Sequence, residues 1–251
     1  MSAATAKSSA ALDAVVAGVW RDPENRARDV YRHPSQTLAF FGVAPQQTVI
    51  EITPGSGWYS EIMAPYLHEN GQYIAAVVDP TTGPSDLKAK ANLEAKFTAA
   101  PEQYAHARVV AFDPKAPQFG AAGSADVVLT FRNVHNWRSQ GNAEAMFKGF
   151  FDVLKPGGTL GVVEHRAKRD VPADDQTGYV GQQQVIAMAL ATGFVLAGKS
   201  ELNANPKDTT AHPNGVWTLP PVNRHDPEDN TKYAAIGESD RMTLRFLKPA
   251  K

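Results

Sequence analysis

The run Thr48-Val49-Ile50-Glu51-Ile52, followed at once by Thr53-Pro54-Gly55-Ser56-Gly57 and then by Ile62, Met63, Tyr66 and Leu67 at helical spacing, limits this chain more than any other stretch. β-Branched residues in a short apolar run suit a buried parallel strand, Pro and two glycines end it, and the periodicity then switches to that of a helix. Strand, tight turn and helix in that order open a doubly wound α/β sheet. There the turn faces the ligand, because small side chains let backbone approach closely and the helix N-terminus offers unpaired N–H groups. The spacing Glu51-x-x-x-Gly55-x-Gly57 is not the dinucleotide fingerprint G-x-G-x-x-G, whose first glycine and register are missing.

The unit repeats along the chain. A second strand over 72–78 ends in Asp79–Pro80, about 20 residues beyond the glycines, where a carboxylate can accept from both ribose hydroxyls; a turn or cap role is the alternative. A third over 107–111 ends in Phe112–Asp113–Pro114, again open to a plain turn reading. The fourth, 125–131, runs into Arg132-Asn133-Val134-His135-Asn136-Trp137, a polar and aromatic patch at the end where sites of this architecture lie. An amphipathic helix over 143–154 leads to a fifth strand over 159–163 that ends in Glu164–His165–Arg166. A helix over 179–192, a strand over 194–202 and an alternating strand over 241–248 follow, the last two without a crossover helix between them, as antiparallel partners would. Residues 203–240 are too long and irregular for an ordinary connection and read as a substrate-covering segment, with Trp217 as its lid candidate. Three helical stripes before residue 44 read as a packing cap, whose Arg28, Asp29, Tyr31 and Arg32 could close over a pocket. The expected organisation is a helical extension over 1–44 and one α/β domain over 45–251 carrying the insert 203–240.

At 251 residues and 43% apolar content, the chain can bury one sizeable core. A net charge of −1 gives no basic footprint, so nucleic acid is not an expected partner. Without cysteine there are no disulfides, thiolate nucleophiles or zinc–thiolate sites. No segment reaches the apolar length of a membrane span, and no membrane partner is expected. Residues 1–11 lack the basic-then-apolar pattern of a signal peptide, which fits a cytoplasmic chain, or a periplasmic one whose export signal has been removed. His135, His165, His212 and His225 have no i, i+4 pair or compact spacing, so no metal is expected.

A helix ending in Leu154-Lys155-Pro156-Gly157-Gly158 just before a strand, with the glycine turn and the closing hairpin, resembles the class I S-adenosylmethionine (SAM)-dependent methyltransferases. Their first motif is E/D-x-G-x-G-x-G, and Thr53 stands where its first glycine would be. The likeness covers 45–202 and 241–248. Residues 51–60, Glu164–His165–Arg166 and the stretch from Asp240 to Phe246 are further similar to a group of bacterial methyltransferases of unassigned substrate, whose members often carry an export signal. The resemblance implies a Rossmann-like, seven-stranded, mostly parallel sheet with its last strand antiparallel. It implies SAM as cofactor and methyl transfer to a small-molecule acceptor by direct displacement. It implies that Glu51 orders the loop by accepting backbone N–H bonds, that Thr53, Gly55 and Gly57, with Trp58 beside them, line the methionine part, that Asp79 takes the ribose, Phe112 and Asp113 the adenine, and Asn133 the wall by the sulfonium. His135, Glu164 and His165, at the ends of adjacent central strands, are the candidate bases for an acceptor that must lose a proton; strand-end histidines bonded to backbone are the alternative. An Asn/Asp-Pro-Pro-aromatic signature of DNA amino-methylation is absent after the fourth strand. Thr53 also leaves open a binding or accessory protein that keeps the fold without turnover.

Overall fold

The computed structural model describes residues 9–250; the start of the Ala- and Ser-rich terminus, residues 1–8, lies outside them. Four short helices come first, α1 (Ala10–Val16), α2 (Pro23–Arg26), α3 (Asp29–Arg32) and α4 (Pro34–Phe41). Asp22 caps α2 by accepting from Glu24 N, with Pro23 in the first turn, where its missing N–H costs nothing. Then β1 (Thr48–Ile52), α5 (Ser60–Leu67), β2 (Gln72–Val78), α6 (Pro84–Ala99), α7 (Pro101–Tyr104), β3 (Arg108–Phe112) and β4 (Ala125–Phe131) alternate as the sequence predicts. They are followed by α8 (Val134–Ser139), α9 (Ala143–Val153), β5 (Leu154–Ala167), the two-residue β6 (Val180–Gly181), α10 (Gln182–Ala191), β7 (Val195–Ser200), α11 (Asn230–Ile236) and β8 (Arg241–Leu247).

The sheet runs in the order β3-β2-β1-β4-β5-β8-β7, parallel from β3 to β5, with β8 antiparallel to both β5 and β7 and β6 on the edge of β5. Strand direction in sequence therefore reverses between β1 and β4, and the crevice at their carboxyl ends is the topological switch point where ligands of open α/β sheets lie. Alternation along each strand divides the core. Ile50, Ile52, Val128, Leu160 and Val162 face α9 and α10, while Val49, Val127, Leu129 and Val163 face α5 and the N-terminal helices.

Two elements differ from the expected bounds. β5 begins at Leu154, not 159, because Leu154 pairs with Ala125 before a register shift and the Pro-Gly-Gly turn is absorbed into that irregularity. The helix expected over 179–192 begins at Gln182, since Val180 and Gly181 are drawn out to pair with Arg166 and Ala167.

Phe41 of α4 lies flat against β5, and only a glycine fits beneath it. A Cβ on Gly161 would stand 2.6 Å from Leu129 Cδ2 and 2.7 Å from Phe41 Cγ. Gly161→Ala is expected to destabilise the fold by about 1–3 kcal/mol through overpacking, read as a lower urea midpoint with an unchanged slope.

Candidate functional site

The carboxyl ends of β1, β4 and β5 and the amino end of β8, roofed by residues 216–222, enclose a cavity of about 310 Å³. Its floor on the β1 side is the glycine turn. Gly55 and Gly57 hold φ of +61° and +81°, and the space beside Gly55 is open, whereas Gly57 packs on Ser60 and Leu93 and does not reach the cavity. α5 starts behind the turn with no side-chain cap. Thr53, at the position of the missing glycine, adopts φ +51° all the same, a conformation that a β-branched residue rarely takes. Its Oγ1 is buried with no partner.

Glu51 differs from its expected role. Its carboxylate accepts from Tyr73 Oη at 2.5 Å, Tyr73 in turn lies 2.7 Å from Ser60 Oγ, and no backbone N–H of the loop donates to it among the described residues. Burial pushes the Glu51 carboxyl up from its ordinary 4.5 to about 7, the Tyr73 bond and the Arg32 charge opposing that only in part. Asn133, also buried, donates to Ile52 O at 3.0 Å and Thr130 Oγ1 at 3.1 Å, clamping β1 to β4 at the cavity wall. Trp58 lines the cavity with its indole N–H on Asn25 O at 2.9 Å and Arg32 stacked 4.6 Å from its ring centroid.

The strand-tip acids and Phe112 stand elsewhere. Asp79 Oδ1 accepts from Thr81 N and Oγ1 at 2.8 and 2.7 Å, capping the short helix Pro80–Thr82, and Asp113 Oδ1 accepts from Lys115 N; neither lines the cavity. Phe112 does not offer a face to a ligand, because strand alternation turns its ring into the core, 4.9 Å from Phe119 and only 3% exposed.

On the opposite wall the three candidate bases converge. Glu164, fully buried, accepts from the backbone N–H groups of Val134 (2.6 Å), His135 (3.3 Å) and His165 (2.8 Å), and lies 3.1 Å from His135 Nδ1. A carboxylate can only accept, so Nδ1 carries the proton and Nε2 of His135 is left with its lone pair. His165 Nδ1 sits 2.5 Å from Ser239 Oγ, and burial, with the His135 ring and the charges of Arg132 and Arg241, holds its pKa well below the ordinary value, so it is neutral at pH 7. His135, Glu164 and His165 each bring one potential metal-ligand atom within 4.8 Å of the others, a proximity their sequence spacing conceals. The Glu164 oxygens are taken up by N–H donors and the charges of Arg132, Arg241 and Arg32 bear on His165, conditions that oppose a dication.

Those arginines were the least legible part of the site. Arg132 follows β4 at φ +63°, Arg241 opens β8 opposite His165 by register, and Arg32 comes from α3. Glu238, in the irregular stretch, pairs with Arg28 Nε (2.6 Å), Arg32 Nε (3.3 Å) and Arg241 Nη2. Burial opposes its ionisation, but these three charges win and hold its carboxyl at about 2. Trp217 stands over the cavity, T-shaped to His135 at 6.1 Å, whereas Trp137 is core, packed on Phe150.

By sequence, the chain matches no protein-family model and no curated protein. By structure it is similar to a SAM-dependent methyltransferase from Aquifex aeolicus (13% identity, TM-score 0.61, 90% of this chain and 94% of that one). The chain has the SAM-dependent methyltransferase fold. It is also similar to the [4+2]-cyclase SpnF (16%, TM-score 0.63, 96% and 93%) and to an arsenic(III) SAM methyltransferase from Chlamydomonas reinhardtii (13%, TM-score 0.56, 95% and 73%).

Two expectations follow from the β1 side of this methyltransferase-fold site. Thr53→Gly removes the strained left-handed threonine and its orphaned hydroxyl, and after the backbone entropy of glycine should stabilise the protein by about 1 kcal/mol in urea unfolding. For Glu51, the folded chain keeps a proton that the unfolded chain releases above its ordinary pKa, so stability falls as pH rises from about 4.5 to about 7, by roughly 3 kcal/mol. Glu51→Gln should remove that slope, making the variant more stable relative to wild type at pH 8 than at pH 4.5.

Proposed function

We propose that the protein is a SAM-dependent methyltransferase for a small-molecule acceptor, with His135, oriented by Glu164, as the base that takes the acceptor's proton. The observation that carries this reading is the convergence, at the switch point of a methyltransferase fold, of an open glycine turn on one wall and a carboxylate-bound histidine on the other.

The residues present suit the methionine end of the cofactor. Gly55 leaves room for backbone approach, Thr53 Oγ1 lacks a partner, and Glu51, pushed up to about 7 by burial, is a carboxyl that a cationic ligand close by would favour in its charged form. Asp79 Oδ2 is free to accept from a ribose hydroxyl while Oδ1 keeps its cap. When bound, SAM would supply a methyl group activated on a sulfonium, with the sulfonium's electron pair left on sulfur and the acceptor's lone pair taking the methyl. The chain's own part is mostly positioning. Asn133 and the clamped ends of β1 and β4 fix the floor, while Trp217 and Val216 exclude water from above. His135 Nε2 receives the acceptor's proton, and Glu164 stabilises the imidazolium that results. His165, neutral and bonded to Ser239, holds the second wall without taking charge.

Calorimetric titration with S-adenosylhomocysteine tests the reading, with one-to-one binding expected and about tenfold or more weakening in Asp79→Ala through the lost charge-assisted bond. No binding at high micromolar protein would overturn it in favour of an accessory role for the fold, for which the cyclase neighbour is a reminder that the architecture serves more than methyl transfer.

A further inference from the structure

The cavity wall formed by α3, β4 and β8 carries more positive charge than the protein itself neutralises. Arg32, Arg132 and Arg241 line it, Arg28 shares the carboxylate of Glu238, and Glu238 is the one carboxylate that pairs with any of the four among the described residues. Arg32 and Arg241 are 4% and 3% exposed, yet Arg32 Nη2 and Arg241 Nε have no hydrogen-bond partner. Arg132, half-buried at the tip of β4, has no side-chain hydrogen bond or ion pair among the described residues, and its guanidinium faces the same cavity. A buried charged N–H without an acceptor costs far more than a neutral one. Guanidiniums within reach of one another persist in such a place when an anion completes them, and their planar forks match carboxylate and phosphate oxygens.

We propose that Arg32, Arg132 and Arg241 form a recognition site for an oxyanion, a carboxylate or phosphate, carried by the methyl acceptor. The acceptor assignment rests on the methyl-transfer reading; the oxyanion site rests on the arginines alone. Position separates the Arg241 end of this subsite from the glycine turn, while Arg32, over Trp58, and Arg132, at the tip of β4, lie nearer to it. β8, which supplies Arg241, is three strand spacings from β1 and its glycine turn, about 14 Å, and Arg241 stands opposite His165 by register. An oxyanion held there lies on the histidine side of the cavity, under Trp217, with the acceptor's body against Tyr59 and Phe131, which stack at 3.7 Å. The same charges add to the burial that makes His165 resist protonation, and Arg132 itself is pulled down to about 10 by burial and by Arg241.

The test is a calorimetric titration of the full chain with benzoate and with phenyl phosphate as separate probes, first alone and then saturated with S-adenosylhomocysteine. Arg132→Asn is the variant of choice, since asparagine tolerates the left-handed backbone at this position and no ion pair is broken. At least one probe is expected to bind wild type in both settings, about tenfold or more weakly in Arg132→Asn, and Arg132→Lys should recover part of the loss; which probe binds tells carboxylate from phosphate. Circular dichroism melting of both variants confirms that they fold, and should Arg132→Asn fail to, Arg132→Lys alone must still weaken the probe. The proposal is overturned if neither probe binds, if binding is indifferent to Arg132, or if S-adenosylhomocysteine competes with the probe, which would give the arginines to the cofactor's own carboxylate. If S-adenosylhomocysteine does not bind at all, the methyl-transfer reading fails, and with it the assignment to a methyl acceptor, while the free-protein titration still decides whether the oxyanion site exists.

Discussion

The buried carboxylate of Glu238 ties the N-terminal helices to the sheet. It takes Arg28 and Arg32 from the chain's beginning and Arg241 from its last strand, so that α3 is fixed over the carboxyl ends of β1 and β4 and not merely packed against an edge. The helices would otherwise have modest hold, since α2 and α3 are one turn each and bury few apolar side chains. A second set of ionic and polar bonds repeats the arrangement one layer away. Arg21, fully buried, forks onto Asp29 at 2.7 and 2.9 Å, and Glu61 of α5 accepts from Asn25 and Lys96. Removing one partner from such a cluster leaves the others charged and dry, which is why it specifies position more strongly than it adds stability. With its folded pKa depressed to about 2, Glu238 contributes stability that is complete above its ordinary carboxylate range and lost as pH falls through that value.

The two walls of the cavity are electrically opposite. On the β1 side, burial draws the Glu51 carboxyl up to about 7 against the charges of Arg32, Lys96 and Arg132; on the β8 side, guanidiniums outnumber the carboxylates that meet them. Neither condition is relieved within the protein. A cationic group against the glycine turn and an anionic group against the arginines would relieve both, and they would meet near His135.

How much of this the sequence carried depended on whether the signal was local. β1, β2 and β4 were plain from their apolar runs, and β4 matched to the residue, because strands buried on both faces need no context to be recognised. Phe112 was misread because a residue at a strand tip is assigned to one face or the other by a single step of register. Asp79 and Asp113 have the composition of ligand residues, and each also caps the turn that follows it, a second role that sequence alone does not separate from the first. His135 and Glu164 could be named individually, but their mutual bond crosses from the first turn of α8 to β5 and has no sequence spacing to betray it. Arg241 and Glu238 were hidden more deeply, since one looked like an ordinary polar position of an alternating strand and the other lay in a stretch with no periodicity at all. Arg132 carried a faint signal, standing next to Asn133 at the end of a central strand, where site residues gather.

Thr53 shows where local rule and global fold disagree. The backbone there must turn through a left-handed residue whether or not glycine is present, because β1 ends in the sheet, with Thr53 N donating to Ala76 O at 2.8 Å, while α5 has to start beyond Gly57. The fold dictates the dihedral angle and the side chain conforms to it. Strain kept at such a position, beside a ligand cavity and with a hydroxyl left unpaired, is the pattern expected where a side chain serves binding more than stability. A glycine would satisfy the backbone and leave this part of the cavity wall without a hydroxyl; the threonine supplies one.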